Sequence, residues 1–185
     1  GREQVYVMNI HGSNQLRISQ DDGISQYPAW SPDGQSLVYV YSTKADPSNS
    51  YIVTQRLDQT DFVRVSRNFG TMPTWGKAGI VYMTADIVQG QEQLSLMRVQ
   101  PDGTGQQVLN PTRDRDEHYP AWSPDQTTLA YVAGDSMRPE TRQVWVMNAD
   151  GSNPRPLTNG LGGVAMPRWS PDGKWIVFLA QWGIA

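Results

Sequence analysis

An all-β propeller of four-stranded blades is the fold class this sequence predicts, and three observations predict it. A Pro-x-Trp phrase occurs four times, as YPAWSPDG from Tyr27, MPTWGKAG from Met72, YPAWSPDQ from Tyr119 and MPRWSPDG from Met166. Its prolines (Pro28, Pro73, Pro120, Pro167) stand 45, 47 and 47 residues apart, and Trp30, Trp75, Trp122 and Trp169 keep the same spacing. A second phrase travels with it: QVYVMNIHGSN from Gln4 returns as QVWVMNADGSN from Gln143, with weaker copies at Tyr51 and Leu94. No segment sustains a 3.6-residue apolar period, so no substantial helix is expected. A repeat of ~40–50 residues that reads as four short strands is the size of one propeller blade.

The elements follow in order within each copy. The first strand is the Pro-x-Trp stretch. The second is a β-branched and aromatic run: LVYVY from Leu37, IVYM from Ile80, LAYV from Leu129 and IVFL from Ile176. The third is the VYVMN type. The fourth is short: QLRIS from Gln15, FVRVS from Phe62, QQVLN from Gln106 and RPLT from Arg155. One domain over residues 1–185 is expected, with whole repeats near 28–66, 73–110 and 120–158. A further blade is divided between residues 1–27 and 166–185, because the chain starts with third and fourth strands and stops with first and second ones. Pairing those terminal half-blades removes open sheet edges. It closes a four-bladed ring within one chain, or an eight-bladed ring as a homodimer. A piece of a longer propeller is the third alternative.

The recurrent residues have structural work. In SPDG, Pro32 presets φ, Asp33 suits the next turn position and Gly34 accepts positive φ, giving a hairpin between first and second strands. Asp33, Asp125 and Asp172 are read as side-chain caps of these turns, and Gln126 in place of glycine should strain or change the third. One tryptophan per blade at one position reads as packing between sheets, each removing ~150–250 Å² from water.

These phrases resemble the TolB-like, WD-related β-propeller repeat, whose signature is similar to P-x-W-S-P-D-G-K, an apolar strand, then Y-V-M-N-A-D-G-S-N and R-x-L-T. The likeness is close at Pro167–Lys174 and Val144–Thr158, good at Pro28–Gly34 and Val5–Asn14, fair in the third copy and poor in the second. It implies a propeller fold and a periplasmic or extracellular place in a bacterium. The lack of cysteine, compatible with either compartment, leaves a cytoplasmic one open.

Composition narrows the function. A net charge of −3 argues against a nucleic-acid partner, and no apolar run is long enough to span a membrane. No G-x-S-x-G elbow or phosphate loop occurs, and with two histidines and no cysteine neither catalytic residues nor metal ligands are assigned. No cofactor is expected. His11 takes the place of Asp150 in an NADG-type turn and is read as a turn residue.

The unusual stretch is PTRDRDEHYP, Pro111–Pro120, joining one blade's outer strand to the next blade's inner strand. Loops there border the central opening, where a rigid scaffold presents partner-binding residues. Arg67, Arg113, Asp114, Arg115, Asp116, Glu117 and His118 are the candidate contacts. A solvated, self-paired charge run is the plain alternative, and a cation held by Asp114, Asp116 and Glu117 a third. The expected function is a non-catalytic scaffold for a protein or peptide partner. The alternative is the gating propeller, or a fragment, of a larger serine peptidase of the prolyl-oligopeptidase or dipeptidyl-peptidase kind.

Overall fold

The structure is a computed structural model and describes residues 3–20, 22–46, 48–88, 90–109, 115–135 and 137–181. Its strands fall into three whole blades flanked by two half-blades. The N-terminal half-blade pairs β1 (Tyr6–Val7) with β2 (Leu16–Arg17). The first whole blade is β3 (Gly23–Trp30), β4 (Ser36–Thr43), β5 (Ser50–Arg56) and β6 (Val63–Arg64). The second is β7 (Thr71–Gly76), β8 (Gly79–Val88), β9 (Gln91–Val99) and β10 (Gln107–Val108). The third is β11 (Asp116–Trp122), β12 (Thr128–Gly134), β13 (Gln143–Asn148) and β14 (Arg155–Pro156). The C-terminal half-blade is β15 (Val164–Trp169) with β16 (Ile176–Ala180). Every sheet is an antiparallel meander in chain order, and the one helical turn among the described residues is a 3-10 turn, Pro139–Thr141.

Sheets stack face to face, so the second strands of the three whole blades, β4, β8 and β12, are buried on both sides and read as continuous apolar runs. Leu37, Tyr39 and Tyr41 meet Val5 and Ile18 of the N-terminal half-blade. From the opposite face of β4, Val38 and Val40 meet Ile80 and Tyr82. Val81 and Met83 in turn meet Leu129 and Tyr131, and Val132 meets Val164, Ile176 and Phe178. Each such side chain contributes about 1.5–3 kcal/mol on burial.

The inner strands begin before the Pro-x-Trp phrase rather than at it, at Gly23, Thr71, Asp116 and Val164. A repeated β-bulge makes this possible. Pairing slips one step around Gln26/Ala29, Thr71/Thr74, His118/Ala121 and Ala165/Arg168. At each slip the residue before proline is left-handed: Tyr27 (φ 52°), Met72 (51°), Tyr119 (54°) and Met166 (54°). Proline lacks an N–H to give the ladder, and the bulge takes up that missing bond.

The turns behave as their residues require. Asp33 accepts from the Ser31 hydroxyl at 2.6 Å and the Gln35 amide at 3.0 Å. Asp125 and Asp172 repeat the arrangement with Ser123 and Ser170, at 2.6 Å in both cases. Those serine bonds hold all three carboxyls below the ordinary aspartate value. Gln126 keeps the left-handed geometry of Gly34 and Gly173 (φ 67° against 69° and 70°), so that turn is strained and not of a different type. His11 lies in an exposed turn, its amide donating to Asn9.

Three tryptophans pack against the neighbouring blade. Trp75 joins the cluster between the first and second blades, Trp122 the next cluster, and Trp169 Nε1 donates to the Ala121 carbonyl at 3.1 Å. Trp30 does not follow its expected packing and is 51% exposed. Its neighbour in the stack, β1–β2, supplies third and fourth strands, whereas these tryptophans lean on an inner strand. The half-blades stand as separate two-stranded sheets at opposite ends of the stack, so closure into a four-bladed ring within one chain is not formed among the described residues.

At Gly76 the neighbouring blade leaves no room for a side chain. A Cβ there would lie 2.6 Å from the Trp122 ring. Gly76→Ala is therefore expected to force the indole out of place and cost about 1–3 kcal/mol, read as a lowered midpoint in urea unfolding.

Candidate functional site

A cavity of about 440 Å³ lies along the inner strands. The bulged pre-proline residues Tyr27, Met72, Tyr119 and Met166 line it, giving an alternation of phenol and thioether from blade to blade. Tyr27 and Met166 are about half exposed, while Tyr119 also packs on the cluster joining the third blade to β15–β16. Non-glycine residues at positive φ cost on the order of 1–3 kcal/mol each and gather at ligand-holding sites. Polar groups on the wall include Thr74, Ser123, Gln126 and Ser170, and Arg168 is its one charged group among the described residues. Carboxylate and imidazole groups are not among those lining side chains. The arrangement suits a flat apolar or aromatic group flanked by a carbonyl or carboxylate that Arg168 can reach. The signal for it lay in the sequence: a bulky residue immediately before each proline, in a strand already assigned to the axis.

The candidate contacts of the Pro111–Pro120 stretch come out differently. Arg113 and Asp114 lie outside the described residues. Arg67 is exposed and accepts at its carbonyl from Arg64 Nη2 at 2.5 Å. Arg115 stacks its guanidinium 4.2 Å from the Trp145 ring centre, a cation–π contact within its own blade. Asp116, Glu117 and His118 are not loop residues but open β11, and Glu117 and His118 are 1% and 6% exposed. Burial takes those two out of reach of a surface partner. Among the described residues no group of three or more His, Asp or Glu side chains converges as metal ligands would.

Glu117 has a specific place in the sheet. The third strand of each repeat presents an N–H that a hydroxyl from the end of the fourth strand receives: Val5 to Ser19, Ile52 to Ser66 and Val144 to Thr158, at 2.9, 2.9 and 3.0 Å. In the second blade the sequence has Asn110 at the hydroxyl's position, a residue outside the described set. There the Leu96 N–H donates to Glu117 Oε2 at 3.2 Å, and the Leu94 N–H donates to Asp116 Oδ1 at 2.9 Å. Two carboxylates of the third blade therefore bind the edge of the second.

His118 lies beside them. Burial, with the Arg142 guanidinium second, pushes its imidazole down to about 4, against an opposing pull from Asp116. A folded-state value below the unfolded one means the unfolded chain binds the extra proton. Stability from this group is complete above pH 6.5 and falls as pH drops from about 6.5 to 4, by on the order of 3 kcal/mol. His118→Gln, which places the residue of Gln26 at the matching position, should flatten thermal stability across that window. Glu117→Ala is expected to cost about 1–3 kcal/mol by leaving the buried Leu96 amide without its acceptor. The mutant's amide exchange should rise at Leu96 more than at Ile52.

Comparison with known proteins gives the same architecture. The family description "TolB beta propeller domain" matches residues 1–139. The uncharacterised protein Atu1656 of Agrobacterium fabrum is 27% identical over 186 residues, covering 96% of this chain and 58% of that protein. A shorter segment, 35% of this chain and 9% of the relative, is 38% identical to the uncharacterised peptidase YuxL of Bacillus subtilis. The Tol-Pal system protein TolB of Wolbachia pipientis (wPip) is 46% identical over 29% of this chain and 13% of its own length. The crystal structure of TolB from Acinetobacter baumannii superposes with a TM-score of 0.71 at 16% identity, over 98% of this chain and 44% of that one. The chain thus spans 58% of the length of the Agrobacterium relative and 44% of the Acinetobacter TolB chain. With the family description covering most of its residues, and with its repeated bulges and stacked meanders, the chain belongs to the TolB β-propeller domain family.

Proposed function

We propose that the chain is a non-catalytic propeller scaffold that binds a protein or peptide partner, and that contact is made in the axial cavity. The carrying observation is the wall of Tyr27, Met72, Tyr119 and Met166, held left-handed at the same place in every inner strand. A thioether and aromatic wall adapts to apolar side chains, and Arg168 adds one anchor for a main-chain carbonyl or a carboxylate. A lining without carboxylate or imidazole favours binding over proton-transfer chemistry. Of the residues first considered, Arg67 stays accessible and is retained as a contact beyond the cavity. A periplasmic location, which the resemblance to the TolB-like repeat implies, goes with this reading.

The similarity to a peptidase segment favours one second reading, a propeller that admits peptides to a hydrolase domain. Both readings require peptide contact at the axis, and they differ in whether a hydrolase domain acts on what is bound.

Selection of a peptide-display library on the purified chain tests the shared step. Enriched peptides should carry an aromatic or large aliphatic residue, and their affinity should fall at least tenfold on Met72→Lys or Arg168→Ala with the unfolding midpoint kept. Failure to enrich any peptide, or enriched peptides indifferent to both substitutions, would remove the axial cavity from consideration.

A further inference from the structure

In the second blade the inner strand starts late, and the strand beside it runs on without it. Six positions lead from Ser66, at the end of one blade, to the left-handed Met72 of the next, against eight from Ser19 to Tyr27 and eight from Thr158 to Met166. With the longer link, β3 reaches upstream to pair Gly23 with Thr43, and β11 likewise pairs Asp116 with Gly134. The short link has no residues to spare. Phe69 and Gly70 are taken up in the crossing, the Gly70 amide donating to the Ser50 carbonyl at 3.0 Å and the Phe69 carbonyl accepting from the Thr84 hydroxyl at 2.7 Å. Pairing of β7 with β8 therefore begins only at Thr71, opposite Met83.

β8 and β9 meanwhile pair without a break as far as Val88 and Gln91. Thr84–Val88 thus has β9 on one side and, among the described residues, no strand on the other. Alternation decides which main-chain groups this leaves open. Leu94 and Leu96 turn their amides outward to Asp116 and Glu117, so Gln93 and Ser95 face β8 and bond their partners Asp86 and Thr84. The N–H and C=O groups of Ala85 and Ile87 then point to the open side, and among the described residues no main-chain bond outside the ladder involves either. The edge reads TADIV, without the proline or lysine that commonly blunts one. Ile87 is 72% exposed, on the face that Val81 and Met83 present to the third blade. Asp86 lies on the other face, toward Tyr82.

We propose that an extended segment of a partner protein adds to this edge as an inner strand, antiparallel to β8 and in line with β7. It takes the place that Gly23 and Ile24 fill in the first blade, opposite Thr43 and Ser42. A strand is the occupant because the open groups are main-chain donors and acceptors at strand spacing, and the first and third blades satisfy the same row with a strand. The segment carries a β-branched or aromatic residue opposite Ile87, where the two side chains share a face with Leu94 of β9. The kind of partner is that of the axial-cavity reading, but the residues that hold it are different, so either can fail alone.

Amide hydrogen exchange on the unliganded chain tests the edge itself. Ala85 and Ile87 are expected to exchange at least tenfold faster than Thr84 and Asp86, whose amides bond β9. Peptides selected from a random display library should then protect Ala85 and Ile87 on binding. Ala85→Pro removes an outward N–H and no ladder bond, so it should keep the unfolding midpoint and weaken those peptides at least tenfold. Ile87→Lys, which leaves the backbone untouched, should weaken them likewise, and Arg168→Ala should not. Slow exchange at Ala85 and Ile87 in the free chain, a library that enriches no peptide, or peptides that protect neither amide overturns the proposal. Peptides sensitive to Arg168→Ala alone overturn it while upholding the axial cavity.

Discussion

Each sheet of this protein has two apolar faces, and the whole structure follows from the need to cover both. A strand such as β4 sends Leu37, Tyr39 and Tyr41 one way and Val38 and Val40 the other, all of them buried. A single blade cannot satisfy such a strand, because any one neighbour covers one face. Stacking is therefore compulsory, and it continues until the half-blades are reached. There Val177, Leu179, Tyr6 and Met8 keep the same apolar pattern and are exposed among the described residues.

The axial cavity is a by-product of the same stacking. Inner strands run side by side along the axis, and each must pass a proline that cannot donate to the ladder. The bulge that absorbs the proline turns the preceding side chain toward the axis. Identical backbone steps therefore place Tyr27, Met72, Tyr119 and Met166 on one wall, and sequence variation at that position alone changes its chemistry. Fold and candidate site are thus set by one local event repeated four times.

Much of the fold was legible because its signals are local and repeated. The spacing of Trp30, Trp75, Trp122 and Trp169 identified the blades, and Ser-Pro-Asp turns formed as their chemistry demanded. The strand starts were not legible, since a pre-proline bulge lets pairing begin upstream of a residue that ordinarily interrupts it. Nor was the fate of Asp116, Glu117 and His118. Read along the chain they are a hydrophilic run, and only the lateral approach of β9 turns Asp116 and Glu117 into acceptors for its edge amides. Trp30 failed for the complementary reason, since packing there depends on a neighbouring sheet and not on the residue itself.

The Glu117 contact alters how the blades depend on one another. In a stacked repeat protein, stability divides into what each unit supplies internally and what adjoining units share. Where Ser19, Ser66 or Thr158 holds the third-strand amide, the bond is internal and forms with the blade. Glu117 moves the same bond across the boundary, so the second blade cannot finish its edge until the third has docked. One side-chain exchange converts a self-sufficient unit into a conditional one, and ties the middle of the stack into a single cooperative block.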